Sequence, residues 1–229
     1  MMQLQSACKG ARRYTPPVTA TLTLRCHCGA LTGLATRMSP NAGNHAVCYC
    51  DDCQAFARFL GRDDILDEHG GTEIFQTTPA RVKLTSGVAN LRCMRLSEKG
   101  MHRWYAACCR TPVGNTLGIS RLPFVGLIHS FIGDGTDGRP RNEVLGPVIE
   151  RGHGRRAIGG KPPGASETAS LRFLLRAVRK LLWGLFTGEH RPSPFFDLAT
   201  GKPVVVPEVL GHDERARLAH GAAVSSQTQ

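Results

Sequence analysis

Acidic side chains and aromatic rings are scarce in this chain. Asp and Glu number 18 against 29 Lys and Arg, and Phe, Trp and Tyr supply only 6% of 229 residues. The shortage of acid leaves a formal charge of +11, which draws in anions such as nucleic acid, acidic lipid or a small polyanionic substrate. No apolar run reaches the roughly 18 residues that a membrane span needs. The stretch from Met1 to Lys9 lacks the apolar core of a secretory signal. Nine cysteines is an odd number, so they cannot all pair within the chain. These absences lead to the expectation of a cytoplasmic chain with reduced thiols, where clustered cysteines mean metal or catalysis. There is no internal repeat.

The cysteines are not scattered. Cys48, Cys50 and Cys53 are spaced Cys-x-Cys-x-x-Cys, Cys26 and Cys28 form a second group, and Cys108-Cys109 a third. Three sulfurs on one tight loop can converge on a single ion, and thiolate donors favour zinc. A Cys-x-Cys pair cannot complete a tetrahedron alone, so Cys26 and Cys28 need distant partners, and Cys108-Cys109 is the natural supplier. In an extended segment only one of those two sulfurs would reach a given ion, a limit that a turn removes. Four protein ligands would make that site structural. The triad leaves a tetrahedral position open, the pattern of a catalytic zinc, unless His45, His102 or Cys93 closes it. His27 is expected to point away from its neighbours' metal, and Cys8 and Cys93 read as ordinary thiols. Asp51 and Asp52 read as caps of a short helix over residues 54–60. Arg58, Arg95, Arg103 and Arg110 are candidates to hold an anionic substrate because they neighbour the motifs.

Alternation of apolar and polar residues predicts strands at 19–24, 30–37, 72–76, 82–85, 91–96 and 103–106, hence a mainly β, antiparallel module. The expected organisation is a flexible lead-in over 1–19, a zinc-binding β domain over 20–147, a basic Gly/Pro linker over 148–169 and a C-terminal extension over 170–229. That extension carries one long helix at 170–186 and one more strand at 203–207. On the helix, Arg172, Arg176, Arg179 and Lys180 fall on one side and Leu174, Leu175, Val178, Leu181, Leu182 and Leu185 on the other. Such a helix either packs its leucines on its own domain or meets nucleic acid, an anionic membrane or a protein.

Cys26-x-Cys28-Gly29, then Cys48-x-Cys50-x-x-Cys53, then a strand ending in a cysteine-bearing turn at 105–110 resembles the glutathione-dependent formaldehyde-activating enzyme family, which shares its domain with the centromere protein V group. Gly70-Gly71-Thr72-Glu73-Ile74-Phe75 also looks like that family's entry into its central strands. The resemblance covers about residues 20–130. It implies a zinc-stapled antiparallel β-tent with two zinc ions per chain. Cys26, Cys28 and Cys109 would be structural ligands, and Cys48, Cys50 and Cys53 the catalytic set at which glutathione, as co-substrate, adds to formaldehyde as in a carbon–sulfur lyase. The late motif departs from the family's Phe-Cys-x-x-Cys-Gly: Ala106 stands in place of its first cysteine and Arg110 in place of its glycine. Either Cys108 replaces the missing ligand through a turn, or that site has three sulfurs. The competing expectation is a non-catalytic, zinc-stabilised basic binding module.

Overall fold

Leu22 and Leu24 alternate with Thr21 and Thr23 in the first strand, and that alternation buries one face of a sheet whose other face meets water. The computed structural model describes residues 19–219; residues 1–18 with Cys8, and the polar end from 220, lie outside them. The first half of the chain runs β1 (Ala20–Arg25), β2 (Thr32–Met38), β3 (Asn44–Cys48), α1 (Asp51–Leu60), β4 (Thr72–Thr77), β5 (Val82–Ser86), β6 (Leu91–Arg95) and β7 (His102–Ala106). It continues with β8 (Thr111–Thr116), β9 (Val125–Ile128), β10 (Ile132–Gly135), α2 (Arg141–Leu145), β11 (Glu150–Gly152), α3 (Leu171–Thr187), β12 (Glu208–Val209) and α4 (His212–Ala219).

The strands form two sheets, one of four in the order β10-β1-β2-β5 and one of eight in the order β11-β3-β4-β9-β8-β7-β6-β12. Leu22, Leu24 and Met38 from the first share a buried core with Phe75, Trp104, Val113 and Leu127 from the second. A separate apolar group joins α1 (Phe56, Phe59, Leu60) to Met94, Ile128 and Leu218. The fold is mainly β, as expected. Among the described residues pairing is antiparallel except at β11 with β3 and β12 with β6. Gly87, with φ of 67°, lets the turn after β5 meet residues 30 and 31; a Cβ there would lie 1.7 Å from the Ala30 carbonyl oxygen.

Residues 148–169, expected to be a flexible linker, carry β11 in register with β3, Glu150 opposite Ala46 and Gly152 opposite Cys48. They are tied further by Ile149 N–H to the His45 carbonyl at 2.9 Å and Ile158 N–H to that of His69 at 2.9 Å. The strand expected at 203–207 is instead a single bridge between Phe196 and Pro203, with β12 starting at Glu208. The extension still reaches the core. Phe195 lies 5.2 Å from the Trp104 ring and Phe196 lies 5.7 Å from that of His102. Phe195→Ala is expected to cost about 3–5 kcal/mol, read as a lower denaturant midpoint; an unchanged midpoint would show that the extension is not part of the core. No helix of the described residues is long and apolar enough to cross a membrane.

Candidate metal centres and the adjoining cavity

The two cysteine clusters meet as the spacing predicts. Cys26 closes β1, and its carbonyl accepts from Gly29 N–H at 2.9 Å in a turn that brings Cys28 back beside it. The Leu31 N–H donates to Cys26 Sγ at 3.2 Å and fixes where that sulfur points. Cys108 and Cys109 arrive on the turn between β7 and β8. The sulfurs of Cys26, Cys28, Cys108 and Cys109 all lie within 4.8 Å of one another. Cys26 Sγ is 3.6 Å from Cys28 Sγ and 3.7 Å from Cys108 Sγ. Thiolates around a tetrahedral zinc, at about 2.3 Å each, stand about 3.8 Å apart. The spacing fits a metal and is far too long for a disulfide, whose sulfurs sit about 2.05 Å apart. This cluster spans the two sheets, because Cys26 and Cys28 follow β1 while Cys108 and Cys109 join β7 to β8.

Ala106 and Arg110 in the late cysteine run have a structural account. Ala106 is fully buried between Leu91 and Thr111 at the end of β7, so it offers nothing to the cluster, and the turn places both Cys108 and Cys109 there instead. Arg110, in the glycine's position, takes a left-handed φ of 54°, a conformation that glycine adopts freely and that a residue with a Cβ adopts uncommonly. Its guanidinium donates to the carbonyls of Phe59 and Leu60, the latter at 3.0 Å, and lies over the Phe59 ring. A cation at the C-terminal end of α1 is favourable. Burial raises the Cys109 thiol, but the Thr111 hydroxyl at 3.1 Å and Cys28 outweigh it and bring it down to about 6.

The triad stands where β3 turns into α1. Cys48 ends the strand, Cys50 is the N-cap and Cys53 lies in the first turn, their sulfurs again within 4.8 Å of one another. Cys48 Sγ and Cys50 Sγ are 3.3 Å apart. Hydrogen bonds among the three sulfurs, together with burial, push each thiol up to about 12. Three such sulfurs cannot all be anionic without a cation between them, so this is a donor set that a metal would complete. None of the proposed fourth ligands joins them. His45 bonds Gly146 O at 2.7 Å and Glu73 at 2.9 Å, His102 packs on Trp104 and Phe196, and Cys93 is buried in the main core. Exposed His27 also stays outside its neighbours' cluster, as expected.

In place of a fourth ligand there is a cavity of about 240 Å³, lined by Cys48, Cys50 and Cys53. Its floor is one face of the large sheet. Gln76 pairs with Gly126, Gly126 with Asn115, and Asn115 with Arg103, so these four form one row across β4, β9, β8 and β7. Gly126 leaves the floor low, since a Cβ there would come 3.0 Å from Ile74 Cγ2. Met101, Phe124 and Phe173 supply apolar wall, while Asp52, Glu150 and His153 bring polar groups to the edge.

Of the four arginines singled out in the sequence, only Arg103 lines this cavity. It is buried over the Phe56 ring, with one nitrogen 3.5 Å from Asn115 Oδ1 and another 3.6 Å from Asp52. Arg58 instead holds the Leu218 carbonyl, Arg95 that of Gly100, and Arg110 the end of α1. Asp51 and Asp52 do not cap α1 through their side chains. They occupy its first turn, suited to the positive helix end, and pair with Arg156 at 3.5 Å and with Arg103.

Several lining residues carried no motif. Gln76 and Asn115 are polar positions in buried strands, a signal that could have marked them. Glu150, His153 and Phe173 come from the supposed linker and extension, and only tertiary pairing brings them in. Glu150 accepts from the Ser170 hydroxyl at 2.5 Å, and Ser170 in turn caps α3 by accepting from Phe173 N–H at 3.3 Å.

No curated protein matches the chain. The Family of unknown function (DUF6151) matches residues 18–208, running through the supposed linker and α3 as far as β12. The chain therefore belongs to the DUF6151 family.

Proposed function

We propose that this chain is a zinc-dependent enzyme of carbon–sulfur lyase type, built on a zinc-stapled β-tent, that adds a small thiol such as glutathione to formaldehyde or a related small carbonyl. The observation that carries this reading is the three-cysteine cluster opening onto a walled cavity, with no fourth ligand among the described residues. Cys26, Cys28, Cys108 and Cys109 would hold a structural zinc, and Cys48, Cys50 and Cys53 a second. Zinc at the triad would supply a Lewis acid that keeps a nearby thiol deprotonated close to neutral pH.

The chain's own residues would do the rest. Arg103 and the Asn115 amide present donors to the carbonyl oxygen as it gains negative charge. The apolar wall of Ile74, Met101, Phe124 and Phe173 excludes bulk water and holds a small, uncharged carbonyl. In the addition an S–H bond breaks, an S–C bond forms as the carbonyl π bond opens, and the proton ends on the new hydroxyl. Neither oxidant nor reductant is consumed.

The competing reading, a non-catalytic basic module, draws on the charge of +11. Metal analysis and thiol titration separate the two. The expected result is about two metal equivalents per chain and, in the cobalt-substituted protein, a change in the sulfur-to-metal charge-transfer band when glutathione or another small thiol is added. Absence of any spectral response, with salt-dependent DNA binding in its place, would favour the module.

A further inference from the structure

Helix α3 leaves most of its leucines outside: Leu171, Leu174, Leu175, Leu182 and Leu185 are exposed, while Leu181 lies on the inner side beside Pro123. Its inner side is fixed by Arg176 Nε donating to Asn44 Oδ1 at 2.8 Å, by Lys180 donating to the Asn41 carbonyl, and by Gly184, where a Cβ would meet Pro123 at 2.9 Å. The outer side is a row at helical spacing: Leu171, Leu175, Val178, Leu182 and Phe186. Leu171 is 72% exposed and Phe186 87%. From Leu171 to Phe186 this row runs about 22 Å, at about 1.5 Å per residue. Exposed Arg172 and Arg179 flank it on one edge with Trp183, 66% exposed, and the helix contains neither Asp nor Glu. So long an apolar face on a docked helix marks an interaction surface.

We infer that this face of α3 lies on an anionic lipid surface, with the helix parallel to the membrane plane. Charge selects this occupant. Two copies of the chain, each at +11, would bring cationic helix edges together. Residues 1–18 carry Lys9, Arg12 and Arg13 with no apolar run to match the row, so they too are a poor cover. An acidic bilayer offers both an apolar layer for the leucines and Phe186 and phosphates within reach of Arg172 and Arg179. Trp183 beside those arginines suits the headgroup level. The inference stands whether or not the cysteine triad is catalytic.

The test is co-sedimentation of the full, zinc-loaded chain with phosphatidylcholine vesicles, with and without phosphatidylserine. Binding is expected to need phosphatidylserine, to weaken as salt is raised, and to fall roughly tenfold or more in L175E/L182E/F186E. Those three side chains are exposed, so zinc content and circular dichroism should be unchanged. A second variant, R172Q/R179Q, keeps the apolar row and is expected to lose most of the preference for phosphatidylserine. Failure to bind phosphatidylserine vesicles, or undiminished binding by both variants, would overturn the inference. So would a lipid-free dimer that the triple substitution dissociates, since a second copy would then own the face.

Discussion

Cys26→Ser is expected to release about one zinc per chain and to lower the melting temperature by about 10 °C or more, a loss above about 4 kcal/mol. Cys26 is buried at the end of β1, 3.6 and 3.7 Å from two partner sulfurs, and takes the Leu31 amide as well. A serine oxygen is harder and stays protonated at neutral pH, so it can still accept from that amide but does not replace a thiolate on the metal. The cluster it breaks links β1 of the small sheet to the β7–β8 turn of the large one. Structural zinc contributes about 10–16 kcal/mol in small peptides that are unfolded without it. Here the shared core of Leu22, Leu24, Phe75 and Trp104 persists, so the loss should be smaller. Cys93→Ser is the control. Cys93 is equally buried but stands outside both clusters, so its variant should keep its full zinc content. Unchanged zinc and melting temperature in Cys26→Ser would contradict the structural assignment.

The cysteine clusters were legible because sulfurs that can share one ion must sit at short spacings on a loop, and those sulfurs do converge in the fold. Strands with clean alternation were legible too: residues 72–76 became β4 over Thr72–Thr77, and residues 19–24 became β1 over Ala20–Arg25. β8 was not. Every residue of Thr111–Thr116 is buried, and with proline and glycine inside it no alternation marks it as a strand. β11 was invisible for a different reason, since its three residues are a strand only because β3 offers an edge to pair with. Composition alone made residues 148–169 look like a linker, yet Gly154 N–H reaches the Ser166 carbonyl at 2.8 Å.

The long helix shows where periodicity stops. Its amphipathic pattern fixed α3 almost to the residue, but not which face turns inward. Phe173, Ala177, Leu181 and Gly184, a narrower and smaller-residued stripe, fit against Pro123, Thr78 and the cavity. The bulkier row is left outside. Interior packing chose shape over hydrophobicity, a choice made by the neighbours that meet the helix and not by the helix itself.

On the proposed function, Cys50→Ser is expected to remove the zinc of the triad and to reduce thiol addition by roughly a thousandfold, several kcal/mol of lost Lewis-acid stabilisation, with the fold kept. Two features keep stability apart from activity here. The triad joins only β3 to the start of α1, elements already held by the β3–β4 and β3–β11 pairings and by Phe56, Phe59 and Leu60 in the second core. Cys50 is also the N-cap of α1, and its side chain makes no capping bond. Serine is a favoured residue at that position and contributes about 1 kcal/mol as a cap. The substitution therefore takes a donor sulfur from the triad while giving the helix a better start. The melting temperature should move by only a few degrees, in either direction, at about 2–4 °C per kcal/mol for a chain of this size. Cys26→Ser and Cys50→Ser thus make opposite pairs of readings, one losing stability and the other losing chemistry. A Cys50→Ser protein that still answers glutathione in the cobalt spectrum, or still forms the thiol–carbonyl adduct at the native rate, would remove the triad from the reaction.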